Sequence, residues 1–141
     1  MSALHHTKAP PATDRTVDLM GLLRLRVHRP VPGACVVEVI GEVDLCTAPH
    51  LAEVVEARVR STVGVVIVDL GRTTFLGVAG LRVLRHLHLL AQLHDTDFYV
   101  DPGNSHAAGR LLQLAPLGCE RPGCAAGLSV AVPGQHRADA Q

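Results

Sequence analysis

The run VVIVDL, Val65 to Leu70, leading into TTFLGVAGLRVL, Thr73 to Leu84, restricts the fold more than any other stretch of this chain. Its residues are mostly β-branched and, apart from Asp69, apolar, so no polar face is available for water. Such a run predicts a strand covered on both faces, and therefore a central strand of a sheet. A few residues later the apolar period changes. Val83, Leu84, Leu87, Leu90 and Ala91 recur at helical spacing, while Arg82, Arg85, His86, Leu89 and Leu93 fall on the opposite side. A buried strand that runs through a tight turn into an amphipathic helix requires layers of helix and sheet.

The rest of the chain fits that frame. Residues 1–18 read as a disordered arm. LLRLRVH, Leu22 to His28, alternates apolar and basic residues and predicts a half-buried strand, and RPVPG then turns the chain. CVVEVIGEV, Cys35 to Val43, predicts a second strand in which Gly41 marks a bulge or a close backbone approach. Thr47 is placed to N-cap a helix that tolerates Pro49 in its first turn and buries Ala48, Leu51, Ala52, Val55 and Val59. DFYV, Asp97 to Val100, predicts a further strand, Ser105 to Leu114 a short helix, and Ser129 to Val132 a last short strand. The order β-β-α-β-α-β-α gives a single α/β domain over residues 19–132, best supported over 22–118. It is a mixed sheet with helices mainly on one side, followed by a flexible tail, 133–141.

Composition excludes several classes. A chain of 141 residues is most simply one domain. Only two Phe and one Tyr occur, so Val, Leu, Ile and Ala must build the core. Thirteen basic residues balance thirteen acidic ones, which gives no bulk signal for direct nucleic-acid binding. No apolar run reaches the ~18 residues of a membrane span, and the N-terminus lacks signal-peptide character, so a cytoplasmic protein is expected. Cysteines at positions 35, 46, 119 and 124 are then expected to be reduced. Their spacing is neither a redox CxxC nor half of a usual zinc site, and Cys35 reads as a small core residue. Cys46, or the Cys119 and Cys124 pair, could make binding redox-sensitive, although inert small residues are the simpler reading.

Candidate chemistry is sparse. Asp44, between a strand and the Thr47 cap, reads first as a turn residue bonding nearby backbone N–H groups, and second as a partner contact. Asp69, at the end of the apolar run, reads as a structural carboxylate bonding loop amides, with no His or Lys nearby in sequence to make it catalytic. His86, His88 and His94 lack the i, i+4 pairing of a helical metal site, and His5 with His6 reads as incidental. Gly71, Gly77 and Gly80 form no phosphate loop. Gly77 is expected to permit an unusual backbone angle, and Gly80 to allow close packing of the helix start. No enzyme, no cofactor and no metal are predicted.

Two motifs in order give a resemblance. VVEVIGEVDLCTAPHL followed by VVIVDLGRTTFLGVAGLRVL resembles the STAS domain of bacterial anti-sigma factor antagonists. In that family G-E-[LV]-D-x-x-[ST]-A is followed by an apolar strand ending in D-L and then T-F-[ILM]-D-S-S-G-L. Gly41, Glu42, Val43, Asp44, Thr47 and Ala48 match the first motif, and Asp69, Leu70, Thr74, Phe75, Gly80 and Leu81 the second. GRLLQLAPLG resembles the later RLLELTGL, so the likeness spans Leu22 to Gly118. It implies a partner, an anti-sigma factor that is also a serine kinase and that phosphorylates the second serine of D-S-S-G to break the complex. Here Gly77, Val78 and Ala79 stand in place of Asp, Ser and the acceptor Ser. The motif is degenerate and Ala79 cannot accept a phosphoryl group. Thr47, Thr73 and Thr74 are substitute acceptors in principle. The resemblance places partner binding on Asp44, Thr47, Gly77, Val78, Ala79, Gly80 and Leu81, and on Arg82, Arg85 and Leu89 of the following helix. Its alternatives are a STAS partner subunit of a transporter or signalling complex, and a small-ligand module or enzyme.

Overall fold

A computed structural model describes residues 15–19, 21–62 and 64–130. Five strands form one sheet in the order β1-β2-β3-β4-β5: β1 Arg15–Leu19, β2 Leu23–His28, β3 Ala34–Val43, β4 Val65–Leu76 and β5 Asp97–Asp101. The first three are antiparallel, and β3, β4 and β5 are parallel. Helices α1 Ala48–Ser61 and α2 Val78–Leu93 make the two crossovers that parallel pairing demands. Helix α3 is His106–Leu114 and α4 is Cys124–Val130.

The alternation in β2 and β3 sends Leu23, Leu25, Val27, Cys35, Val37 and Val39 to the face that α1, α2 and α3 cover. There they meet Leu51, Val55, Leu84, Leu87 and Leu112, in a core carried almost wholly by aliphatic side chains. Cys35 is fully buried in it, as expected of a small core residue. On the other face a smaller cluster of Ala34, Val36, Ile67 and Ala125 sits under α4. The apolar run of β4 is therefore covered on both faces because α4 completes the second face.

The structure changes several expectations. Strand β1 begins within the stretch read as an arm, while His5 and His6 lie outside the described residues. β4 is an interior strand rather than the middle one, which is β3, and it continues to Leu76, so Asp69 lies within the strand and not at its end. Its extension past Leu70 follows two register shifts against β3, between Glu38 and Ile40 and between Gly41 and Glu42. Ser129 and Val130 end helix α4 rather than start a strand, and positions 131–141 lie outside the described residues. The segment before α4 is also ordered by pairing. Glu120 bridges Val100 of β5, and buried Asp101 accepts the N–H groups of Gly103 and Gly123 on Oδ1 (2.9 Å each) and of Ala125 on Oδ2 (3.0 Å).

Gly41 answers to a close approach. Its φ is +113°, and a Cβ built there lies 2.2 Å from the Leu22 carbonyl oxygen. Gly41→Ala is expected to cost about 2–3 kcal/mol, read as a lowered urea midpoint at unchanged m-value. A midpoint equal to that of the parent would contradict this packing.

Candidate functional site

The carboxyl ends of β3 and β4 come together because they pair in parallel through Val43 and Leu76, after which the Gly77 N–H donates to the Val43 carbonyl at 3.0 Å. Two loops, Asp44–Thr47 and the Gly77 turn, are thereby held side by side at the starts of α1 and α2.

In the first loop one residue departs from expectation and one does not. Thr47 occupies the N-cap position of α1 but makes no side-chain cap bond. Its hydroxyl faces back, accepting the Asp44 N–H at 2.9 Å, with its proton between Glu42 O at 2.9 Å and Asp44 Oδ1 at 3.1 Å. Asp44 closes the turn that leads into α1, and its backbone carbonyl accepts the Ala48 N–H at 2.8 Å. Its Oδ1 takes the N–H groups of Cys46 and Thr47, each at 2.9 Å. The bond from the Thr47 backbone N–H, followed by those from the Thr47 hydroxyl and from other backbone N–H groups, holds the Asp44 carboxyl below its ordinary range against some desolvation. The turn role read for Asp44 is thus realised.

In the second loop Gly77 is extended, at φ −94° and ψ −177°, so no unusual angle explains it. A Cβ there would instead stand 3.2 Å from the Phe75 ring. Gly80 packs as expected, since an added Cβ would lie 2.6 Å from Leu76 Cδ1 and 2.8 Å from Val43 Cγ1. Helix α2 begins without a side-chain cap and without an acidic residue in its first turn.

Burial sorts the candidates. Thr47, Gly80 and Leu81 are buried, so they support the two loops from beneath and do not form their surface. Ala79 is partly buried against the core, Val78 is 60% exposed, and Arg82, Arg85 and Leu89 lie exposed along α2. Two residues that the sequence reading passed over join Val78: Leu45, 80% exposed, and Phe75, half exposed. The signal for Leu45 was present, as a large apolar residue in the turn between Asp44 and Thr47; Phe75 had been quoted only as a motif residue. Of the substitute acceptors, Thr47 and Thr73 are buried with their hydroxyls engaged, Thr73 on Val39 O at 3.1 Å, whereas Thr74 is exposed.

The remaining candidates disperse. His86 Nε2 meets Glu56 Oε2 at 3.0 Å, His88 stacks near Phe98, and no metal-holding cluster occurs among the described residues. All four cysteines are free. Cys119 packs in the main core and Cys124 against the cluster on the other sheet face, so the structure does not bring the pair together. Burial pushes Cys119 up to about 11 and Cys124 up to about 12, which leaves both as thiols at neutral pH. Cys46 is exposed. Asp69 Oδ1 accepts the Gly71 N–H at 2.9 Å, the structural role expected of it.

The STAS domain profile matches residues 24–101, over half of the chain. The chain belongs to the STAS domain family. A structure of an anti-sigma factor antagonist from Mycobacterium paratuberculosis is similar at 25% identity and TM-score 0.61, covering 85% of this chain and 95% of that one. The anti-sigma factor antagonist SpoIIAA in its unphosphorylated form shares the fold at 11% identity and TM-score 0.60, with 82% and 95% covered. So does murine Slc26a9, an anion transporter, at 14% identity and TM-score 0.60; 98% of this chain aligns to 24% of the transporter. No curated protein matches by sequence. No helix among the described residues is long and apolar enough to cross a membrane.

Asp44→Ala removes an acceptor whose carboxyl is depressed in the folded state. As pH falls, the unfolded chain takes up the proton first, so this contribution is full above the ordinary carboxylate range and is lost as pH drops through the folded value. The variant is expected to melt below the parent at pH 7, with the gap closing in acid. A gap that is constant with pH would contradict a charged acceptor in this turn.

Proposed function

We propose that this domain is an anti-sigma factor antagonist-type binding protein: it binds an anti-sigma factor of the serine-kinase type, so that the sigma factor is released. It acts by binding and not by catalysis, inside the cytoplasm. The observation that carries the reading is the apolar rim of Leu45, Phe75 and Val78 around the Gly77 turn, where two loops converge and apolar side chains face solvent. Exposed aromatic and aliphatic side chains grouped at one spot are what a protein partner desolvates. Likeness to the Mycobacterium paratuberculosis antagonist over most of both chains supports the same assignment.

Control then differs from that of antagonists with a D-S-S-G turn. A phosphate adds about −1.5 to −2 charges, and within an apolar contact it brings desolvation cost and repulsion. Ala79 has no hydroxyl, and Val78 beside it is a β-branched hydrocarbon, so the rim stays uncharged. The complex is therefore governed by the amounts of the two proteins. A role as a STAS partner subunit of a transporter has fold likeness alone behind it.

Val78→Asp puts a fixed charge on the rim without touching the core. We expect it, and Phe75→Ala, to weaken binding to the cognate anti-sigma factor at least about tenfold, ~1.4 kcal/mol, in a calorimetric titration, with melting temperatures close to the parent. Equal affinity for parent and both variants would move the interface elsewhere.

A further inference from the structure

Helix α4 is fastened to the sheet differently from the other three helices. Up to Arg121 the chain is anchored by β5 and by the main core. The Val100 N–H donates to Cys119 O at 3.0 Å, the Arg121 N–H donates to Val100 O at 2.9 Å, and Cys119 packs among the core residues. The Arg121 guanidinium also lies 4.3 Å over the Tyr99 ring. Pro122 and Gly123 then turn the chain into α4. Gly123 has φ +83°, and a Cβ built there meets nothing within 4 Å, so the turn is not wedged by neighbours.

Beyond that turn the attachment is slight. α4 has seven residues, with no acidic residue in its first turn and no basic one in its last. A helix that short does not hold its shape alone in water. Its apolar seat is the small cluster of Ala34, Val36, Ile67 and Ala125, on the far side of the sheet from the main core. One side chain supplies what is missing. Buried Asp101 takes the Gly123 N–H on Oδ1 and the Ala125 N–H on Oδ2, which puts a carboxylate at the positive end of α4 and ties that end to β5. Helix cap and tether are the same group, so α4 leaves the sheet and loses its helix in one event.

A segment with few buried apolar contacts opens at a lower cost than the whole domain. We propose that α4 is a latch: it swings off the sheet about Pro122 and Gly123 while the rest of the domain stays folded, with Asp101 as its catch, and bares Val36 and Ile67 on the sheet face opposite α1.

The cysteines provide the readout. Cys124 lies in α4 against the small cluster, Cys35 and Cys119 are buried in the main core, and Cys46 is exposed. The full chain is labelled with N-ethylmaleimide near neutral pH, in rising urea below the unfolding transition, and each cysteine is resolved by peptide mass. Cys124 is expected to label at least about tenfold faster than Cys35 and Cys119 and with almost no urea dependence, because local opening exposes little surface. The two core cysteines should follow global unfolding. In Asp101→Asn the amide keeps an acceptor for Gly123 but turns a donor toward the Ala125 N–H, and Cys124 should label at least about tenfold faster again with the core cysteines little changed. Ala125→Glu crowds only the small cluster and should act in the same direction, although it adds a negative charge where Asp101→Asn removes one; it carries the test alone if Asp101→Asn does not fold. Cys124 labelling with the rate and urea dependence of the core cysteines, labelling as fast as that of Cys46, or a rate unchanged in the folded variant would each overturn the proposal.

Discussion

The parallel pairing of β3 with β4 is the constraint on which the rest of this molecule depends. It forces α1 to cross over one sheet face, and so fixes where the main core lies. It also brings Val43 beside Leu76 and closes the gap with the Gly77 N–H on the Val43 carbonyl. From that one bond the two loops take their positions. Gly80 lets the start of α2 sit against Val43 and Leu76, and Asp44 holds the start of α1 through backbone N–H groups. The exposed rim is a consequence of this frame: Leu45, Phe75 and Val78 extend from a scaffold whose own contacts are buried.

The conservation of geometry without acceptor chemistry at the turn follows from the same frame. The start of α2 has uncapped N–H groups whether or not a hydroxyl stands at position 79, because the strand–turn–helix is fixed by β3 and β4. Changing the side chains at 78 and 79 alters the charge that this surface can carry while leaving its shape. The opposite sheet face is independent. There Asp101 binds α4 to the sheet, and the row of Glu38 and Asp69 beside it has no part in holding the rim.

Much of this was legible in the chain. The period change at Val78 identified α2 and sorted its faces correctly, because helix amphipathicity is a local signal set by one core. The alternation of β2 and the apolar run of β4 did the same for the sheet. What was not legible depended on distant partners. Strand β1 is a strand because β2 offers it an edge, and α4 is held by Asp101, more than twenty residues earlier. That the Thr47 hydroxyl turns away from α1 depends on Glu42 O, which the fold brings within 2.9 Å of it. Leu81 and Thr47 matched the family motif and so were assigned to the surface, yet a motif records which residues are needed and not whether they face solvent.

The central claim is that binding at the rim is blind to the partner's kinase activity, because position 79 has no hydroxyl. The most direct measurement is the affinity of the parent protein and of Ala79→Ser for the cognate anti-sigma kinase, before and after incubation with ATP, with phosphate incorporation followed by mass. The account predicts that the parent binds equally in both conditions and gains no phosphate, while Ala79→Ser gains one and releases the kinase. Phosphate on the parent protein, at exposed Thr74 or elsewhere, together with loss of its binding after ATP, would contradict it.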